Sequence, residues 1–330
     1  MAMRILITGG AGYVGSCLVP LLLARGFAVT VFDKLLFGAE PLLANRLNPA
    51  FRLVKGDVRD RAALAAAMAD AQAVVHLAAI VGEDACAIDE QASWSINCGG
   101  TEAVIAAALD SGIERLLYVS TCSNYGVSAA NALASEDSAL NPLTLYARSK
   151  VEAEKRVLGN AVRPVRCVLR LGTICGIAPR MRFDLLISDA ARAAVTGQPI
   201  EIFAPEAWRP FLHVRDAARA IELCLKAEGD RIDGSVFNVV GENIQKRQIA
   251  EMVGRHFPTA AVVVNARKPD LRDYRVDGSR IGNLLGYKAE LSVEDAFTET
   301  AEAILSGVFR DPTWPGYAAN AFSPDRLGAP

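Results

Sequence analysis

Tyr146 and Lys150 stand four residues apart on a helix that the sequence starts near Thr144, a spacing that puts a phenol and an ammonium on one helical face. A phenol ordinarily ionises near pH ~10, and a cation close enough to stabilise its anion makes it a usable base near neutral pH. Lys150 is one candidate cation, and a bound cationic cofactor is another. Thr121 belongs to a hydroxyl-rich stretch, Ser120-Thr121-Cys122-Ser123-Asn124-Tyr125-Gly126, from which it can bridge Tyr146 and a substrate hydroxyl. The chemistry such a set performs is proton transfer at an alcohol. Each part also has an ordinary reading: a Tyr–Lys pair as a surface contact, a hydroxyl-rich turn as loop chemistry.

The first residues of the chain bear on whether such a cofactor has a place. Ile5, Leu6 and Ile7 read as a buried strand, Gly9, Gly10, Gly12 and Gly15 turn the chain sharply, and Tyr13 to Leu23 continues as a helix ending near Gly26. A turn this tight needs positive φ, a pyrophosphate must approach bare backbone, and the helix must pack close to the strand. Unpaired N–H groups at the helix start, around Tyr13, Val14 and Gly15, then face the phosphates. The second strand, Ala28 to Phe32, leads into Asp33, an acid at about the ~20-residue distance expected for one that bonds ribose hydroxyls. A glycine-rich turn alone can be structural; strand, turn, helix, strand and acid together point to dinucleotide binding.

Alternating strands and helices must position these groups. Phe51 to Lys55 is a third strand, closed by Gly56-Asp57-Val58-Arg59-Asp60, where Asp57 and Val58 fall on the glycine-turn edge and Asp60 suits a helix N-cap. A fourth, Ala73 to Ala79, runs into the small residues Ala78 and Ala79 after Leu77. Glu90 to Ser111 reads as one long helix, Arg115 to Ser120 as a fifth strand, and Val165 to Leu171 as a sixth. The expected fold is α/β, a Rossmann-like doubly wound parallel sheet with a smaller α/β C-terminal substrate domain. Alternation breaks down after Gly172-Thr173, which predicts a dinucleotide domain over 1–172 and a substrate domain over 173–330. Residues 213–240, with a strand at Ser235 to Val239, are expected to return to the first sheet. The second part is rich in cations: Arg180 and Arg182 in one loop, Arg209 in Trp208-Arg209-Pro210-Phe211-Leu212-His213, then Arg267 with Asp270. One arginine is a solvated surface group, whereas several brought together clamp a diphosphate. From Ser306 onward Pro312, Pro315 and Gly316 predict an irregular surface tail.

The totals narrow the class. A net charge of −2 over 330 residues does not suit a basic nucleic-acid binder. Although 52% of the residues are hydrophobic, no run reaches the ~18 apolar residues of a membrane span. The chain enters its first strand at once, without a signal-peptide pattern, and the seven cysteines form no Cys-x-x-Cys. A cytoplasmic protein without membrane, nucleic-acid or metal partners is the expectation.

With these residues in place, the chain resembles the extended short-chain dehydrogenase/reductase family of nucleotide-sugar-modifying enzymes. Gly9, Gly12 and Gly15 match its G-x-x-G-x-x-G, and Tyr146 and Lys150 match its Y-x-x-x-K at the right distance from Thr121. Arg209-Pro210-Phe211-Leu212-His213-Val214 is similar to the R-D-Y-I-H-V of the UDP-glucose 4-epimerase type. The resemblance implies catalysis by Thr121, Tyr146 and Lys150, and an NAD pocket lined by Asp33, Asp57, Val58, Leu77, Ala78, Ala79 and Asn97. It also implies a nucleotide-sugar site using Arg209, Arg267 and Asp270, to which Ser123, Thr173, Arg180 and Arg182 are candidate additions. The long helices imply a homodimer through a four-helix interface. Sugar-nucleotide 4,6-dehydratases of this family carry Asp-Glu directly after the catalytic threonine, and here those positions are Cys122 and Ser123. Thr173 stands where the family often has Asn, and Val81 where the epimerase type often has a lysine near the cofactor phosphates. Three readings stay open: an NAD-dependent C4 epimerase, a reductase of a nucleotide-linked 4-keto sugar, and a catalytically silent dinucleotide-binding protein.

Overall fold

Short β-branched and leucine-rich runs bounded by glycine or aspartate form the central strands: Arg4–Thr8 (β1), Ala28–Asp33 (β2), Phe51–Lys55 (β3), Ala73–His76 (β4), Arg115–Thr121 (β5), Val165–Leu171 (β6) and Ser235–Val239 (β7). The computed structural model describes residues 2–127, 132–159, 164–267, 270 and 272–328. The seven strands lie in the order β7-β6-β5-β4-β1-β2-β3, every neighbouring pair parallel. Both faces are covered, as an all-parallel sheet requires. Ile5 and Ile7 of β1 point toward Leu18, Val19 and Leu22 of the helix Tyr13–Ala24 and Ile221 of the helix Val214–Lys226. Leu6, between them, points to the other face, into a core with Val104 and Val157 from the helices Gly100–Asp110 and Leu145–Gly159. The strand order reverses beside β1, where β2 lies on one side and β4 on the other, so the crevice of a doubly wound sheet opens at the C-terminal end of β1.

The single long helix expected over Glu90 to Ser111 is interrupted. It runs as Glu90–Trp94, a π-helical turn Ser95–Gly99, and Gly100–Asp110. The wider turn sets the Asn97 side chain to accept from the Ile80 N–H at 2.8 Å and donate to the Ile80 carbonyl at 3.0 Å, contacts that pin the loop after β4.

Outside this sheet, Thr173–Cys175, Trp208–His213 and Glu242–Gln245 form a three-stranded sheet, and Ile200–Phe203 pairs with Val262–Asn265. The amphipathic helices Leu186–Thr196 and Val293–Leu305 cover them, with Ile187, Phe211, Ile249 and Phe297 in a second core. The segment after Ser306 is irregular, as its prolines dictate, but it is not a loose surface tail. It crosses back to the seven-stranded sheet and buries Leu327 completely in the core on one face of it. Among the described residues no helix is long and apolar enough to cross a membrane.

Candidate active site

The glycine turn after β1 leaves backbone where side chains would collide. Gly9 adopts φ +73°, and a Cβ there would sit 2.7 Å from the Ala78 nitrogen; a Cβ on Gly15 would sit 2.6 Å from Gly10 Cα. No side chain caps the helix that starts at Tyr13, so its first N–H groups, from Tyr13, Val14 and Gly15, are left facing the cleft these residues line. Asp33 closes β2, and its carboxylate accepts the N–H of Ala11 at 2.9 Å and of Leu35 at 2.7 Å; burial outweighs both bonds and pushes its pKa up. Asp57 ends the neighbouring loop between two cations, with Lys34 Nζ at 2.5 Å and Arg59 Nη2 at 2.7 Å. Burial pushes the Asp57 carboxyl up, but the bonds from Arg59 and Lys34 prevail and hold it near about 2. Val58, Leu77, Ala78 and Ala79 complete this end of the cleft. Bare backbone, an acid at the end of β2 and small residues after β4 make a cradle that fits a dinucleotide. Asn97 does not line the cleft; it acts through Ile80, which does.

Thr121, Ser123, Tyr146 and Lys150 line the same cleft. Burial raises the Tyr146 phenol well above its ordinary value, against the opposing influence of Arg182 and Thr121. Lys150 is 3% exposed, and its ammonium sits over the Tyr118 ring, 4.3 Å from the centroid. Burial pulls Lys150 down to about 7 against the opposing field of Glu154. His76 has a structural role: it bridges the Thr8 hydroxyl at 2.6 Å and the Thr101 hydroxyl at 3.0 Å, and burial, then Lys150, hold it near about 3, so it is neutral.

Behind these groups lies a buried polar network that the sequence did not signal. Glu154, one helical turn beyond Lys150, accepts from the Ser120 hydroxyl, from Asn124 Nδ2 at 2.7 Å and from Arg170 Nη2 at 2.7 Å. Arg170 also donates to the Tyr125 hydroxyl at 2.9 Å, which donates in turn to Asn238 at 2.7 Å. The network fastens the helix bearing Tyr146 and Lys150 to the ends of β5, β6 and β7. Only a Glu four residues after Lys150 hinted at it.

Thr173, Arg180, Arg182 and Arg272 also line the cleft. Arg209 and Asp270 are brought together as a buried ion pair, and Asp270 also holds Lys246 Nζ at 3.2 Å and the Arg272 N–H at 3.1 Å. Neither Arg209 nor Asp270 reaches the cleft lining, and Arg267 is exposed outside it. Arg272 is therefore the arginine of this cluster that faces the cleft, and its sole signal was a position two residues after Asp270. Arg182 pairs with Asp184 at 2.6 Å, whereas Arg180 lies over the Phe37 ring and donates to the Ala318 carbonyl at 3.1 Å.

Residues 5–240 match the NAD dependent epimerase/dehydratase family. The chain is 31% identical over 325 residues to the dTDP-glucose 4,6-dehydratase of Streptomyces griseus, covering 91% of this chain and 93% of that protein. It is 29% identical over 319 residues to the UDP-glucose 4-epimerase of Mycolicibacterium smegmatis, covering 91% and 98%. Its fold is similar to the crystal structure of the dTDP-glucose 4,6-dehydratase of Streptomyces venezuelae with NAD and TYD bound, with a TM-score of 0.80, 27% identity, and 92% and 97% of the two chains covered.

Proposed function

The chain belongs to the NAD dependent epimerase/dehydratase family, and on that premise we propose that this NAD-dependent enzyme of nucleotide sugars is a 4-epimerase. The observation that carries the finer reading is the pairing of a complete proton-transfer set with the lack of an acid beside it. Thr121, Tyr146 and Lys150 line one cleft, yet the two residues after Thr121 are Cys122 and Ser123. The Cys122 thiol is buried and donates to the Arg170 carbonyl at 3.2 Å. Among the described residues lining the cleft the carboxylates are Asp33, Asp57 and Glu83: the first two are engaged at the adenosine end, and Glu83 is exposed. Elimination of water needs an acid to protonate the leaving hydroxyl, so this site favours epimerisation over the dehydration for which several relatives are named.

In the proposed reaction Tyr146 takes the proton of the sugar C4 hydroxyl, directly or through Thr121, and returns it once the 4-keto sugar has turned its other face. NAD, held by the glycine turn, Asp33 and Lys150, supplies the hydride acceptor, the donor for the return, and a positive charge beside the phenol. Lys150 supplies the protein's own share of that charge. Because burial raises Tyr146 and lowers Lys150, the residues alone leave the phenol protonated at neutral pH, and base strength appears only in the loaded site. Asp33 favours NAD over NADP by repelling a 2′-phosphate, and Lys34, committed to Asp57, offers no counter-charge for one. That Arg272 and Arg182 line the cleft supports a role for them in meeting the substrate diphosphate, whereas Arg180 is held by the Phe37 ring and the Ala318 carbonyl.

A division at 172/173 into dinucleotide and substrate domains, with 213–240 returning to the first, and a cytoplasmic setting with seven unpaired cysteines are parts of the same reading. So is a homodimer through the helices Gly100–Asp110 and Leu145–Gly159, which are already cross-linked by an Arg156–Glu102 ion pair. Gel filtration at a mass near the 35.2 kDa of one chain would exclude the dimer.

The test of the reaction incubates the protein with UDP-, CDP-, GDP- and dTDP-sugars, with and without NAD or NADH, and follows sugar stereochemistry together with reduced-nicotinamide absorbance. A C4 epimer without net NADH change supports the epimerase, and Tyr146→Phe should abolish it while NAD binding persists. NADH consumption with a 4-keto sugar alone would replace it with the reductase reading, and a 4-keto-6-deoxy product with dehydration.

A further inference from the structure

The dinucleotide cleft has one wall that no strand end or glycine turn supplies. Ala319 and Phe322, from the segment after Ser306, line it together with Asp33, Leu36, Phe37 and Val58. The Phe322 and Phe37 rings meet edge-on at 6.0 Å. Two anchors hold this segment. On one side the Arg180 guanidinium, stacked 4.1 Å over Phe37, donates to the Ala318 carbonyl at 3.1 Å, and Asp184 accepts the Ala319 N–H at 3.2 Å. On the other side Arg326 donates to the carbonyls of Leu36 at 2.5 Å and Leu35 at 2.7 Å, Arg59 donates to the Leu327 carbonyl at 2.9 Å, and Leu327, with 0% exposure, packs into the core with Phe32 and Val58. The second anchor grips the two loops that carry Asp33 and Asp57, the acids at the adenosine end of the cleft.

We infer that residues 317–328 are part of the dinucleotide site: they form the outer wall of the adenosine pocket and keep NAD from exchanging between turnovers. The inference rests on the NAD reading above. Arg326 bridges two consecutive carbonyls and Arg59 a third, and Leu327 seals the end in the core, so an adenosine behind Phe322 leaves only when the strap lifts. Such a wall suits an enzyme that returns its hydride to the same sugar, since a reductase must release its nicotinamide after every reaction. It also offers a retaining element in a chain where Val81 replaces the lysine that the epimerase type often places near the cofactor phosphates.

The test uses the full chain loaded with NADH, whose fluorescence reports release on mixing with excess NAD. Phe322→Ala removes the wall, Arg326→Ala removes one anchor, and Leu327 stays in place in both so that the core is kept. The double variant should release NADH at least about tenfold faster, as expected for losing a partly covered ring and its support. Affinity for ADP-ribose should fall by the same factor, and affinity for nicotinamide mononucleotide should not change. Arg326→Lys, which cannot bridge both carbonyls, should fall between the wild type and Arg326→Ala. Equal release rates in the wild type and the double variant would overturn the strap and leave the NAD reading standing. A wild-type chain that takes up no NADH and yields no nucleotide when it is denatured would overturn both.

Discussion

Lys150 should make the cofactor-free protein less stable than it would be with a neutral side chain, and the amount should depend on pH in a defined direction. Burial lowers its pKa from 10.5 to about 7, with Glu154, Cys98 and Cys86 opposing and the Tyr118 ring beneath the ammonium. Between those two values the unfolded chain holds a proton that the folded protein does not, so the contribution of this residue to stability rises with pH across that window and is flat below it. At about 1.4 kcal/mol per pH unit, the full penalty at or below neutral pH is on the order of 3–5 kcal/mol. Lys150→Met keeps the length of the side chain and its contact with Tyr118 while removing the charge. The variant should be more stable than the wild type by roughly 2–4 kcal/mol at about pH 7, and the gap should close by about 1.4 kcal/mol per unit as pH rises toward about 9.5. His76, held near about 3, titrates below this window, and Cys86 and Cys98, which feel the Lys150 charge, are pushed up to about 11, above it. Urea unfolding without cofactor, read at constant m-value, measures the gap. A gap that does not change with pH, or a variant less stable than the wild type at about pH 7, would refute the reasoning. Turnover should be lost in the same variant.

Three further outcomes follow from the site. Glu154→Gln leaves Arg170 buried without its carboxylate and should cost about 3–5 kcal/mol in urea unfolding, while Glu154→Gln with Arg170→Gln should recover part of that in a double-mutant cycle. Gly15→Ala drives a Cβ to 2.6 Å from Gly10 Cα, so calorimetry should show NAD binding weakened at least about tenfold and stability reduced by about 1–3 kcal/mol. Asp33→Asn removes the charge that repels a 2′-phosphate, so the ratio of NADPH to NADH affinity should rise about tenfold or more; an unchanged ratio would assign cofactor choice elsewhere.

Much of this molecule is written in short spacings. The glycine turn, Asp33 at the end of β2, and the four-residue step from Tyr146 to Lys150 are local patterns, because a tight turn and a helical face are set by neighbours in sequence. The strands β3, β6 and β7 were legible to the residue for the same reason: an apolar run between turn signals leaves the chain one extended way to bury itself. What the sequence left blank depends on partners far apart in the chain. Glu154 meets Arg170 at a separation of 16 residues and Arg326 meets Leu36 at 290, and no periodicity reports which buried charge will find which partner. The prolines after Ser306 correctly forbade a regular element there, yet whether an irregular segment lies free in solvent or closes over a cleft is decided by where the folded core leaves Leu327 a place to bury. The arginines of the second half follow the same division. Composition showed that several cations were available, but the chain path past Asp270 turned Arg272 toward the cleft and left Arg267 outside it. The sequence alone determined the sheet, the dinucleotide turn and the setting of Tyr146 and Lys150 on one helical face. The tertiary structure alone decided which distant side chains hold that pair in place and what lines the outer side of the cleft, because burial and charge pairing are properties of the assembled core and not of any stretch of chain.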